Sequence, residues 1–434
     1  MDNFEEQIEE FGTNYMKDSF LSKTFTPYEY KSGRIPIGTD QLGNEFCIEW
    51  DDAIRMIIVG KPGSGKTFLL RGIMDRLTKV PLSKTQIGYA IFIPTDIKDE
   101  FKSSKRPVQH KFRKMHLPGE LAEGQNISTL RPSFFKYVNK RLPKQNHWMA
   151  VDISKMEEYD FMTLLNADKM REPQRIITQN LYDELKKETN FNMGRLKEIL
   201  DGMLGQYDEK QVKALQNKLQ PLFNSGFGDS RYFRDLVKGI NSGKEVEVIE
   251  DDVPRMVKHS KIIALNMEDY DLLGKGSFLY TEVFVGMALR QLLIARRRGY
   301  IPPIWVLLDE AGRFIPKDSN PSCKKDIMES DKRDRKNNVS YIYATQYFTD
   351  LPDEIKQTSK YIFLPYNVDT GIIKSVLSFT GMVTNNFVQN IASDSNRLKS
   401  QLGHRQWLVF NTDTREKRII NLNAPLSEHT ETSK

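Results

Sequence analysis

Residues 55–67 read RMIIVGKPGSGKT, and this stretch decides the fold. RMIIV is a short, continuous apolar run, the pattern of a strand buried on both faces. GKPGSGKT, residues 60–67, matches the full phosphate-binding loop pattern G-x-x-x-x-G-K-[S/T]. FLLRGIM follows, so a helix is expected from about Lys66 to Lys79. The residue types suit an anion. Gly63 and Gly65 let the backbone curl so that successive N–H groups point inward. The helix start adds partial positive charge. Lys66 is expected to reach the β and γ phosphates of a nucleotide, and the Thr67 hydroxyl to ligate Mg²⁺. The nucleotide-binding set is therefore Gly60, Lys61, Pro62, Gly63, Ser64, Gly65, Lys66, Thr67 and Phe68.

Working outward, further apolar runs read as strands: 88–94, 147–153, 261–267, 304–308, 339–344 and 360–364. A strongly apolar helix is expected over 278–298, stopped by Gly299. Near-continuous apolar strands alternating with helices predict an α/β fold with a mainly parallel sheet. Residues 35–50 read as a hairpin on the edge of this sheet, and 405–410 with 418–422 as a terminal hairpin. Residues 172–222 carry two long helical patterns, broken near Asn190–Met193 and again around Tyr207–Asp208. Pro221, Gly226 and Gly228 should close that block. Residues 239–258 read as a polar surface loop. The expected organisation is a lead-in and hairpin (1–50), a first core part (51–160), a helical insertion (161–258) and a second core part (259–434).

The chain has 434 residues, 39% apolar and 28% charged, with 24 Phe, 17 Tyr and 4 Trp. That aromatic content excludes disorder as the whole answer. A net charge of +6 does not by itself demand a nucleic-acid partner, though it allows a local basic lining. Cys47 and Cys323 are too few for a disulfide framework or a four-ligand zinc site. The acidic start MDNFEEQIEEFG lacks an apolar signal region, and no run of about eighteen apolar residues occurs. A soluble cytoplasmic protein without a membrane segment is expected.

A phosphate loop alone does not separate kinases, GTPases and motors. IWVLLDE, residues 304–310, is an apolar strand ending in two carboxylates. Asp309 there can hold Mg²⁺, and Glu310 can orient and deprotonate the attacking water. Kinases and GTPases seldom need the second carboxylate. VSYIYATQ, residues 339–346, ends a strand in Thr345-Gln346, and the Gln346 amide can sense the γ-phosphate or the water.

GKPGSGKT, LLDEAGRFIP, the basic SDKRDRKNN and YATQ, in this order, resemble the HerA/FtsK superfamily of DNA-pumping ATPases, most closely its HerA-like branch. Packaging and conjugative coupling ATPases are relatives. Asp334-Arg335-Lys336 falls where the family carries G-R-K, and DIKDEF (96–101) where it carries D-x-x-G-E-[F/Y]. The resemblance covers roughly 35–110 and 260–425. It implies a RecA-like core in a hexameric ring, with ATP between subunits. It also implies an arginine acting on the neighbour's nucleotide: Arg335 by position, with Arg333 and Arg313 as rivals. ATP and Mg²⁺ would be the cofactors and double-stranded DNA the partner. A NurA-type nuclease, an effector or a capsid/portal protein are possible further partners. The alternative is a ring ATPase that serves as scaffold or switch for a nuclease or defence effector.

Two basic clusters accompany these motifs. Lys102–Lys114 (KSSKRPVQHKFRK) has the density of a phosphate-contacting loop, or is a solvated surface loop. Arg296, Arg297 and Arg298 fit the complement of a helix C-terminus.

Overall fold

The computed structural model describes residues 34–40, 42–49, 53–77, 89–95, 127–132, 146–149, 156–167, 170–188, 193–225, 262–266, 277–297, 303–365, 368–381 and 406–422. The N-terminal lead-in, DIKDEF, Lys102–Lys114, the 239–258 loop, Arg298 and Gly299 lie outside the described residues.

Among the described residues twelve strands form one sheet. They are β1 (Arg34–Asp40), β2 (Glu45–Glu49), β3 (Arg55–Val59), β4 (Ala90–Thr95), β5 (Ile127–Pro132), β6 (Asn146–Met149), β7 (Ile262–Asn266), β8 (Ile304–Leu308), β9 (Val339–Thr345), β10 (Tyr361–Pro365), β11 (Gln406–Asn411) and β12 (Glu416–Leu422). Their order is β2-β1-β12-β11-β10-β3-β9-β8-β4-β7-β5-β6. From β10 to β6 every pairing is parallel. From β10 to β2 every pairing is antiparallel.

The continuous apolar runs have a direct cause. Ile57 and Val59 of β3 face one core, while Met56 and Ile58 face the other. Helix α1 (Lys66–Leu77) covers the second face through Leu69, Leu70, Ile73 and Met74. The expected N-terminal hairpin is β1–β2. It joins the sheet through β12 and packs Phe46 edge-on against Tyr361 and Phe363, with ring centroids 6.2 and 6.4 Å apart.

The first face is covered by α6 (Ser277–Arg297) and α8 (Ser322–Arg333). Gly286 lets them approach: a Cβ there would lie 3.3 Å from the Cys323 Cα. Against them packs a helical block between β6 and β7: α2 (Glu158–Leu164), α3 (Glu172–Lys187), α4 (Met193–Gly202) and α5 (Glu209–Ser225). Its breaks fall where the sequence places them. Pro221 does not close the block, since α5 continues to Ser225. Proline inside a helix removes one N–H donor without ending the helix when neighbours hold it. Strand β5 and helix α2 have no counterpart in the sequence expectations.

Arg290 of α6, with Lys325 of α8 over the Tyr159 ring, ties the block to the core. Arg290 of α6 bonds Asp160 of α2 at 3.0 Å and Asp326 of α8 at 2.8 Å. Tyr159 donates to Asp326 at 3.0 Å, and the Arg290 guanidinium lies over its ring. At the base of the sheet, buried Arg55 pairs with buried Asp331 at 2.9 Å, and Tyr343 donates to the same carboxylate at 2.8 Å.

Candidate nucleotide site

Three adjacent parallel strands, β3, β9 and β8, end at the same edge of the sheet. The phosphate loop leaves β3, Thr345-Gln346 leaves β9, and Asp309-Glu310 leaves β8. The first two are tied directly: the Gly60 N–H donates to the Thr345 carbonyl at 3.0 Å. The glutamine strand therefore lies between the loop strand and the acidic strand.

The loop is built on two left-handed glycines, Gly63 at φ +73° and Gly65 at φ +91°. Ser64 N–H closes a turn onto the Lys61 carbonyl at 3.1 Å. The first helical bond runs from Leu69 N–H to Gly65 O at 3.0 Å. The amides of Lys66 to Phe68 lie ahead of the i→i−4 ladder, where helices bind anions. The partly buried Phe68 packs against the core cluster on this face. Gly60 is forced by space: a Cβ there would meet Ser64 Oγ at 2.4 Å and Pro365 Cγ at 3.2 Å.

Lys66 folds back over the loop, its Nζ donating to Gly60 O at 2.5 Å and Lys61 O at 3.3 Å. Burial lowers its pKa, while Asp309 and Glu310 pull the other way. Those two carboxylates follow β8, which only β9 separates from the loop strand. Asp309 is buried at the tip of β8, whereas Glu310 is exposed. Glu310 also stands in the left-handed region, at φ 65° and ψ 50°, capping the short helix α7 (Ala311–Phe314). A non-glycine residue there is strained, and such strain concentrates at functional positions.

Thr67 and Asp309 supply a hydroxyl and a carboxylate, both hard oxygen donors. Among the described residues no group of three or more His, Cys, Asp or Glu is placed to hold a metal. Mg²⁺ is usually held by one or two carboxylates plus substrate phosphates, not by an all-protein cage. This donor set fits that ion.

Arg335 lies elsewhere. It sits on a 3₁₀ turn, Asp334–Asn337, that leads into the start of β9. The seven residues of β9 put about 20 Å between that turn and the loop edge. Arg335 cannot reach the nucleotide site of its own chain. Arg333 is engaged by Glu329 at 3.6 Å, whereas Arg313 stays on the loop edge, one turn after Glu310. The arginines of α6 also depart from expectation. Arg296 and Arg297 do occupy the last helical turn, but they bond the 334–337 turn. A further tie lay beyond sequence reasoning: Lys61 approaches Asp369, the N-cap of α9 (Thr370–Thr380), at 3.9 Å. An Asp closely followed by an apolar helical run was the available signal.

The family model described as "Helicase HerA, central domain" matches residues 44–263, about half of the chain. The match crosses the helical block, which the motif resemblance leaves out. Among solved structures, VirB4 of Thermoanaerobacter pseudethanolicus is 14% identical, with 91% of this chain and 97% of that chain covered and a TM-score of 0.54. EssC (ATPases 2 and 3) from Geobacillus thermodenitrificans is 10% identical, covering 93% and 46%, with a TM-score of 0.35. The genome packaging NTPase B204 from Sulfolobus turreted icosahedral virus 2, in complex with AMPPCP, is 10% identical, covering 40% and 71%, with a TM-score of 0.28. Only the first is near enough in shape to bear on the fold. Curated protein sequences give no significant match.

Proposed function

The chain belongs to the family of the HerA helicase central domain, and from that premise we propose that it is an ATP-driven translocase of double-stranded DNA, working as a hexameric ring. The observation that carries the hydrolytic reading is the convergence of loop, carboxylate doublet and amide on three neighbouring strand ends. Lys66 releases its loop carbonyls and turns to the β and γ phosphates. The Lys66–Phe68 amides and the helix start hold the same oxygens. Thr67 and Asp309 would hold Mg²⁺, which when bound would offset phosphate charge. Gln346 orients the attacking water, and Glu310 takes its proton. The water oxygen bonds to the γ-phosphorus as the bond to the bridging oxygen of ADP breaks. Phosphate and ADP leave.

Arg335 is proposed to act on the nucleotide of the neighbouring copy. Its distance from its own loop, its exposure and its lack of an ion pair among the described residues support this role. It would neutralise charge developing on the γ-phosphate and link turnover to subunit movement. The helical insertion is proposed as a segment packed onto the core of this motor and moving with it.

The test is ATP turnover with and without linear duplex DNA, read beside oligomer size, for the natural protein and Lys66→Ala. Stimulation by DNA in a hexamer, lost in Lys66→Ala, is expected. A monomer indifferent to DNA would sink the motor reading.

A further inference from the structure

The turn that carries Arg335 is held by four side chains, two of its own and two from α6. Arg297 grips Asp334 with both ends of its fork, Nε to Oδ1 at 2.8 Å and an Nη to Oδ2 at 2.7 Å. Asn337 donates to Asp334 Oδ1 at 2.8 Å, closing the turn on itself. Arg296 donates through Nε to the Asn337 carbonyl at 2.7 Å. Asp334 is buried beneath these contacts, while Arg335 and Lys336, between the two clamped residues, are exposed. Charge-assisted, bidentate bonds of this kind fix orientation as well as adding energy. The rest of the turn is equally constrained. It continues α8 directly, and Asn338 closes it in the left-handed conformation at φ 53°.

The neighbouring cations are engaged. Lys332 meets Glu354 at 3.2 Å and Arg333 meets Glu329. Arg335 and Lys336 have no ion pair among the described residues. A turn whose backbone is locked, and whose two exposed cations have no ion pair among the described residues, is suited to present charge to something outside the chain. A solvated loop would need no buried carboxylate at its root.

The clamp also has an anchor. Arg290 and Arg297 stand seven residues apart on α6, which places them on the same side of the helix about two turns apart. Arg290 fixes that helix to the helical block and to α8. The presenting turn is thus tied to the rigid body of the subunit.

We infer that Arg296 and Arg297, acting through Asp334 and Asn337, are positioning residues that aim Arg335 and Lys336 at the phosphates of a nucleotide held by a neighbouring copy of the chain. This rests on the reading of Arg335 as acting in trans.

The test compares Arg335→Ala and Arg297→Ala for turnover number, affinity for a non-hydrolysable ATP analogue, and melting temperature. It adds mixed assemblies with Glu310→Gln. Loss of the arginine itself should cost on the order of 10³-fold or more in rate. Misaiming it by about an ångström should cost on the order of 10²-fold. Arg297→Ala is therefore expected to slow turnover by that smaller factor while analogue affinity stays unchanged. Mixing it with Glu310→Gln should return activity, because some interfaces then pair an intact Glu310 with an intact clamp. Arg297→Lys should recover only part of the rate, since an ammonium cannot reproduce the fork. Normal turnover in Arg297→Ala, with Arg335→Ala slow, overturns the clamp and leaves the trans arginine standing. Normal turnover in Arg335→Ala overturns both. A fall in analogue affinity that mixing does not repair makes Arg297 merely structural. Should Arg297→Ala fail to fold, Asn337→Ala keeps the charge pair and carries the same three readouts with a smaller expected fall.

Discussion

Glu310 combines two properties that substitution can separate. Its carboxylate is expected to take the proton from water, and its backbone is held at φ 65°, ψ 50°. Glu310→Gln keeps shape and strain and removes only basicity. General-base catalysis contributes about 10²–10⁴ in rate, which corresponds to about 3–5 kcal/mol of barrier. Turnover should fall by that factor, with ATP still bound and the melting temperature unmoved. Glu310→Gly should stop turnover equally, but its effect on stability has the opposite sign to the usual one. A left-handed non-glycine residue costs roughly 1–2 kcal/mol. Glycine's extra chain entropy in the unfolded state returns about 0.5–1 kcal/mol of that. The net is a gain of up to about 1.5 kcal/mol, where glycine in an ordinary helical position costs about 0.5–1 kcal/mol. Glu310→Asn, tolerant of this conformation without glycine's entropy, should be at least as stable. Steady-state ATP turnover, analogue binding and thermal melting of the three variants decide the matter. Normal turnover in Glu310→Gln would refute the base assignment. A marked loss of stability in both Glu310→Gly and Glu310→Asn would refute the strain assignment.

Other perturbations follow from the same contacts. Lys66→Ala should abolish nucleotide binding or turnover, measured by analogue titration and phosphate release. Gly60→Ala should weaken nucleotide binding and cost about 1–3 kcal/mol, because its Cβ would lie 2.4 Å from Ser64 Oγ. Adding Ser64→Gly should recover part of both losses, and no recovery would mean that the clash lies elsewhere. Arg290→Ala leaves fully buried Asp160 without its cation. About 3–5 kcal/mol of stability should go, seen as a lower melting temperature and faster proteolysis of the helical block. Burial raises the Glu282 carboxyl to about 7, against partial opposition from Arg313. Its folded-state pKa exceeds the unfolded value of 4.5, so its stabilising contribution is complete below pH 4.5 and lost as pH rises through 7. Glu282→Gln should match the natural protein's stability at low pH and exceed it above pH 7, by up to about 3 kcal/mol. Parallel melting curves at both ends of the range would refute this.

Much of the fold was legible because its signals are local. A strand buried on both faces must be apolar throughout, so β3, β4, β7, β8, β9 and β10 stood out as continuous runs. A short strand such as β5, whose ISTLRP is half polar, gives no such signal. Helix α2 is only seven residues long, too short to show a period. Pro221 misled because propensity is a local preference that tertiary packing overrides.

The candidate site divides along the same line. The loop, Asp309-Glu310 and Gln346 could be read from sequence because each is a residue type demanded at the end of a strand. That the Gln346 strand lies between the other two, joined by the Gly60–Thr345 bond, is a fact of strand order. Strand order depends on contacts between residues far apart in the chain. The arginines of α6 show the difference most sharply. By sequence, Arg296 and Arg297 are basic residues closing a helix, 41 and 37 residues from the turn residues that they bond. The turn that they clamp reaches them only because α8 and α6 pack side by side over the sheet. Sequence by itself determined which chemistry the strand ends carry. Only the tertiary structure decided which cations are spent inside the chain and which, like Arg335, are left facing out, because pairing depends on distance through space.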